Sequence, residues 1–183
     1  MQTDEIEKIV GEVLKRLENQ ADFQAASKSD ILAVASPTDT VVHSSVDSAV
    51  NSAQQAQRIF QDLGLEQRHR IIKAMRKAAL ANAERLAQMA REETGMGRTA
   101  DKVQKNTVCA VRTPGPEDLQ SKACTGDKGL TLVEWGPYGA GGAITPSTNP
   151  VATVINNALS FLSAGNAVVF APHPASVKCS TEM

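Results

Sequence analysis

Two short runs in this chain of 183 residues place polar side chains on stiff backbone, which is where chemistry tends to sit. Thr145-Pro146-Ser147-Thr148-Asn149-Pro150 lies between a strand pattern and a helix pattern. That position is the carboxyl end of a parallel strand, where open α/β sheets gather ligands. Asn149, directly before Pro150, has two readings. As a helix N-cap its side-chain oxygen would accept from the first turn, and spacing alone favours this. As a free amide it would donate to an oxygen gaining negative charge. Pro172-His173-Pro174 follows a second strand pattern, and its prolines hold His173 in one direction. Such a histidine either lines a nucleotide pocket or stiffens a strand-to-helix loop. Gly139, Gly141 and Gly142 precede the first run, but a dinucleotide fingerprint would need glycine where Ile144 stands. They predict a flexible turn leading into a strand.

The remaining reactive types carry less. Cys109, Cys124 and Cys179 are odd in number, far apart and without a C-x-x-C pair. This argues against a disulfide framework or structural zinc and fits a reducing compartment, and no metal site is expected. Cys179 and His173 could pair as nucleophile and base by type, yet they match no local signature and Cys179 falls on a helix pattern. Cys109 and Cys124 read as small buried apolar residues. His43 and His69 are isolated.

Composition narrows the classes. Nineteen Lys and Arg against twenty Asp and Glu leave a net charge of −1, without the basic excess that nucleic acid or anionic lipid demands. Hydrophobic residues at 42% are globular, and aromatics at 3% are too few for base-stacking platforms. No run of 18 apolar residues exists to span a membrane, and the acidic start is unlike a secretory signal. A soluble, cytoplasmic chain is expected.

The elements that must position these runs follow from periodicity. Helices are predicted over 46–63, 65–80, 83–94 and 99–112, the first with Val46, Ala49, Val50, Ala53, Ala56 and Phe60 on one face. Gly64, Gly95 and Gly97 punctuate them. Arg68, Arg70, Lys73, Arg76 and Lys77 are expected on a solvated face opposite Ile71, Ile72 and Met75. Leu130–Trp135 alternates like a strand, Val151–Ala164 reads as a helix ended by Gly165, and Ala167–Phe170 reads as a buried strand. Strand, helix and strand form a βαβ unit, so the fold class is α/β, with helices leading into a parallel sheet. A strand apolar on both faces needs neighbours that one such unit does not supply. The sheet is therefore expected to be incomplete, and the chain the front part of a larger protein.

Residues 1–20 form a separate pattern. Ile6, Ile9, Val10, Val13, Leu14 and Leu17 make one apolar stripe of an amphipathic helix, marginal in isolation and in need of a partner. Residues 21–45 read as a linker and 46–183 as the body. The helix could dock on its own domain. The linker favours instead a peptide that binds another protein, by helix-in-groove recognition.

Taken together, EETGMGRTADKVQKN (92–106), TPGPEDL (113–119), CTGDKGLTLVE (124–134) and the block from Thr145 to Pro174 resemble the CoA-acylating aldehyde dehydrogenases of bacterial microcompartments, of the ethanolamine- and propanediol-utilisation type. The resemblance implies an aldehyde dehydrogenase-like fold with an incomplete Rossmann-like sheet. It also implies a two-step reaction in which a cysteine thiolate attacks a short aldehyde, hydride passes to NAD, and the acyl group moves to coenzyme A. Asn149 matches the family's oxyanion-stabilising asparagine. Thr145, Pro146 and Ser147 match the loop beside the nicotinamide. Pro172, His173 and Pro174 match the segment receiving the adenosine part of NAD or CoA. Ala171 stands where hydrolytic relatives carry a ribose-binding lysine. The N-terminal helix is similar to encapsulation peptides, which implies a shell-protein partner, a place in the microcompartment lumen and a homo-oligomeric enzyme at full length. None of the three cysteines matches the family's nucleophile, so the chain alone is expected to be inactive.

Overall fold

A computed structural model describes residues 42–183. The helix expected over 1–20 with Ile6, Ile9, Val10, Val13, Leu14 and Leu17, and nearly all of the expected linker, lie outside the described residues. Four helices come first: α1 (Val46–Gln61), α2 (Leu65–Ala81), α3 (Ala83–Thr94) and α4 (Thr99–Arg112). Ser45 caps α1 by accepting from the Ser48 N–H at 3.2 Å. The helix ends two residues before Leu63, at the predicted boundary's near side, with Asp62 as C-cap. Its predicted face is only half used. Ala49, Val50, Ala53 and Phe60 are half-buried, Val46 is 76% exposed, and the deepest residue is Gln57. Gln57 tolerates burial because its Nε2 donates to the Gly165 carbonyl at 3.2 Å. Gly95 ends α3 in the left-handed region at φ 69°, where a side chain would strain the backbone.

The core lies where α2, α3 and α4 meet the later crossover helix. Ile72, Ala79, Leu86, Ala90 and Ala110 pack there with Val151, Ile155, Leu159 and Cys179. The small alanines let the helices approach closely, and the branched residues fill the seams. Not all of the basic residues of α2 stay in solvent. Arg70, Lys73 and Lys77 do, but Arg76 reaches over to donate to the carbonyls of Ala110 at 2.7 Å and Thr113 at 2.6 Å. It thereby supplies partners to the unpaired carbonyls at the end of α4, where the helix dipole favours a cation. Arg68 packs over the Phe60 ring at 5.7 Å.

A 3₁₀ turn at Pro116–Asp118 leads to an antiparallel hairpin of β1 (Lys122–Gly126) and β2 (Gly129–Val133). The strand expected at Leu130–Trp135 thus exists, shifted by a residue or two, but belongs to this hairpin. Its partner Lys122-Ala-Cys-Thr-Gly126 has no apolar alternation and escaped the reading of the sequence. Every residue of the hairpin is exposed, Leu130 at 67% and Leu132 at 59%. Cys124 is exposed with it, contrary to expectation.

The βαβ unit is β3 (Ala140–Thr145), α5 (Pro150–Ser163) and β4 (Ala167–Pro172), with the strands parallel. Gly141 and Gly142 lie inside β3 rather than in a turn, and only Gly139 of the cluster takes a left-handed φ, 122°. Gly141 is needed for closeness, since a Cβ there would run into the Phe161 ring of α5. β4 is half-buried from Ala167 to Phe170, less covered than its apolar sequence predicts. The chain then forms a 3₁₀ turn at Pro174–Ser176 and a short α6 (Val177–Thr181). The fold is α/β. No helix among the described residues is long and apolar enough to cross a membrane.

Candidate active site

The carboxyl ends of β3 and β4 bring the two runs together. Thr145 stands opposite Pro172 in the parallel register, and the His173 N–H donates to the Thr145 carbonyl at 3.0 Å. Thr145 is 1% exposed, and its Oγ1 is buried with no hydrogen-bond partner among the described residues. A buried hydroxyl without a partner is rare and calls for a ligand or ordered water. Pro146 is exposed and Ser147 half-buried, with its Oγ 3.9 Å from the Met96 sulfur. His173 Nδ1 accepts from the Ala175 N–H at 3.1 Å, capping the 3₁₀ turn and leaving Nε2 as the outward donor. Pro174 begins that turn, exposed beside His173.

Asn149 occupies the N-cap position of α5, yet its side chain accepts no hydrogen bond from the helix. The capping reading therefore fails. Its backbone carbonyl holds the helix start instead, accepting from the Thr153 N–H at 3.0 Å and Thr153 Oγ1 at 2.7 Å. Its Oδ1 accepts from Lys105 Nζ of α4 at 2.9 Å, and its Nδ2 lies 3.5 Å from Thr148 Oγ1. The amide is thus free of structural duty toward the helix and available as a donor.

Several partners of this loop were missed in the sequence. Lys102, only 6% exposed, donates from Nζ to the Thr148 carbonyl at 3.0 Å. Burial pushes its ammonium below the usual lysine range, and Lys105 and Arg91 add to that against an opposing effect of Cys179. Glu93 accepts from the N–H groups of Lys178 and Cys179, both at 2.8 Å, and so caps α6. Burial alone would raise the Glu93 carboxyl, but these backbone bonds outweigh it and hold the group below its usual range. The i,i+3 spacing of Lys102 and Lys105 was the available signal; what they touch depends on a helix crossing that no local pattern encodes.

The cysteines do not complete a catalytic pair. Cys179 is fully buried in the core, with Sγ 3.5 Å from the Ser176 carbonyl. Burial first, then the Glu93 carboxylate, push its thiol up to about 12. A thiol sealed in the core and held protonated beside a carboxylate is not placed to act as a nucleophile. Burial raises Cys109 as well. Among the described residues no group of three or more His, Cys, Asp or Glu is placed to hold a metal ion. A groove of about 400 Å³, bordered by Tyr138, Gly141, Phe161 and Asn166, opens near the opposite, amino end of the sheet and contains none of the candidate residues.

Residues 19–183 match the profile of the aldehyde dehydrogenase family. The acetaldehyde dehydrogenase (acetylating) of Bilophila wadsworthia is 43% identical over 176 residues, covering 96% of this chain and 36% of that protein. The acetaldehyde dehydrogenase (acetylating) EutE of Salmonella typhimurium is 46% identical over 169 residues, covering 88% of this chain and 36% of that protein. Among solved structures, the propionaldehyde dehydrogenase from the Clostridium phytofermentans fucose utilisation bacterial microcompartment superposes with a TM-score of 0.75 at 48% identity. That match covers 77% of this chain and 32% of the other. The chain therefore spans about a third of the length of the relatives it matches.

Proposed function

The chain belongs to the aldehyde dehydrogenase family, and from that premise we propose that its residues form the oxyanion side and part of the nucleotide side of a CoA-acylating acetaldehyde or propionaldehyde dehydrogenase. The observation that carries this reading is the Asn149 side chain: at the N-cap of α5, it leaves the helix uncapped and presents an amide donor at the carboxyl end of β3. An aldehyde carbonyl attacked by a thiolate develops an alkoxide, and a preformed amide N–H stabilises that charge without reorganising solvent. Asn149 Nδ2 supplies this donor. The nucleophile itself belongs to none of the three cysteines, because Cys179 is buried and protonated and neither Cys109 nor Cys124 lies on the βαβ unit.

The residues present fit a nicotinamide cofactor. Thr145 Oγ1 lacks a partner among the described residues, and the exposed His173–Pro174 turn follows the neighbouring strand beside it. Thr145, Pro146 and Ser147 would border the nicotinamide, and Pro172, His173 and Pro174 the adenosine part of NAD or CoA. NAD would take up hydride from the aldehyde carbon, and CoA would carry the acyl group away. The test is a hybrid enzyme in which residues 42–183 replace the corresponding stretch of the Salmonella relative. With acetaldehyde, CoA and NAD it is expected to form NADH. A hybrid that folds and assembles but gives no NADH sinks the reading.

The amphipathic stripe at Ile6, Ile9, Val10, Val13, Leu14 and Leu17 completes the proposal as a peptide docking on a microcompartment shell protein, which places the enzyme in the lumen. The microcompartment origin of a solved relative supports this. Residues 1–20 fused to a fluorescent reporter are expected to sediment with shell particles. Changing Ile9, Val13 and Leu17 to Glu should release the reporter, and retention would remove the targeting role. Homo-oligomerisation belongs to the same reading, supported by the exposed apolar hairpin with Leu130, Leu132 and Val133.

A further inference from the structure

Lys105 stands on the exposed side of α4 and meets Asn149 across 44 positions of sequence, Nζ to Oδ1 at 2.9 Å. An ammonium has three donors and no acceptor, so it can face an amide only at the oxygen. The flipped amide would set two N–H donors against a cation. With Oδ1 occupied, Nδ2 is the amide atom left to donate, and its hydrogen bond to Thr148 Oγ1 is long at 3.5 Å. The backbone on either side is held as well. Lys102 grips the Thr148 carbonyl at 3.0 Å, and Thr153 grips the Asn149 carbonyl. Beside the amide is a void of about 10 Å³, bordered by Lys102, Lys105, Asn106 and Asn149, with room for no more than one water. Among the described residues no carboxylate forms an ion pair with either lysine.

We propose that Lys105 is a positioning residue for Asn149: its ammonium claims the amide oxygen, aims Nδ2 outward and strengthens the Nδ2 protons as donors. The inference rests on the role given to Asn149 above. Among the described residues the side-chain hydrogen bond of Lys105 is with this oxygen. A charge-assisted hydrogen bond polarises the amide, drawing electron density from nitrogen toward oxygen, and an oxyanion facing the N–H then meets a stronger donor. Lys102 contributes differently, through backbone, and its burial makes it part of the fold.

The experiment reads the amide directly in the 183-residue chain labelled with ¹⁵N-asparagine, with the Asn149 side-chain signals assigned by N149D. In K105M the paired Nδ2 proton resonances are expected to move upfield and broaden, while the melting midpoint stays where it was. K105R, which keeps a cationic donor, is expected to restore the original positions. Should K105M lose its helical circular dichroism, K105Q serves as the second neutral variant and is read the same way. Asn149 signals that superimpose in the neutral variant and the parent overturn the proposal. This readout needs no turnover, so an amide that shifts in an inactive hybrid would reject the catalytic reading and leave the coupling standing.

Discussion

Asn149→Ala in the hybrid enzyme is expected to lower kcat for aldehyde-dependent NADH formation by about 10²–10³-fold, the usual consequence of deleting one oxyanion donor. The KM for the aldehyde should change little, because the ground-state carbonyl is a weak acceptor and the alkoxide a strong one. The fold should survive. Asn149 side-chain atoms hold no helix N–H, and the helix start is kept by the backbone carbonyl and Thr153. This separates the two roles once open for the residue. A cap would have lost stability of roughly 1 kcal/mol and left chemistry alone. Steady-state rates together with a urea melt decide between them, and a rate loss under tenfold with full occupancy of the cofactor sinks the oxyanion role.

Leu86→Ala is the second large effect, on stability rather than rate. Leu86 is 1% exposed at the centre of the cluster that joins α3 to α2, α4 and α5. Its truncation removes buried methyl groups and leaves a cavity that neighbouring alanines cannot fill, which predicts a loss of about 2–5 kcal/mol. Domains of this size are stable by only about 5–15 kcal/mol, so the variant is expected to melt far below the parent. Val46→Ala on α1 is the internal control. At 76% exposure it should shift the urea midpoint by no more than about 0.5 kcal/mol equivalent. Equal effects for the two would mean that the core lies elsewhere.

Where apolar periodicity was strong, the sequence was readable almost to the residue. The helices at 65–81, 83–94 and 99–112 match their patterns, because Ile72, Leu86 and Ala110 fall at helical spacing and glycine or proline follows the last two. The parallel strand at 167–172 was legible over 167–170 from its unbroken apolar run. What failed depended on partners distant in sequence. Gly141 and Gly142 looked like turn formers, and at Gly141 only the approach of Phe161 explains why the strand uses glycine. Arg76 looked solvated, and only the end of α4 gives it two carbonyls. The first hairpin strand, Lys122–Gly126, carries no apolar alternation that could have revealed it.

The candidate site divides along the same line. Thr145, Asn149 and His173 stood out as polar residues next to prolines at strand ends, and the structure sets Thr145 and His173 side by side. Lys102, Lys105 and Glu93 did not stand out, since a charged residue on a helix is ordinarily part of a solvated face. Their meaning comes from which loop the helix crosses.

The His173 N–H on the Thr145 carbonyl couples two loops that serve different ends of the proposed reaction. One leads by four residues to Asn149, and the other turns directly into the Pro174–Ser176 segment whose following helix Glu93 clasps. On the proposed function, a molecule that stiffened either loop would restrain the other through this bond, and nucleotide binding would bear on the aim of the Asn149 amide.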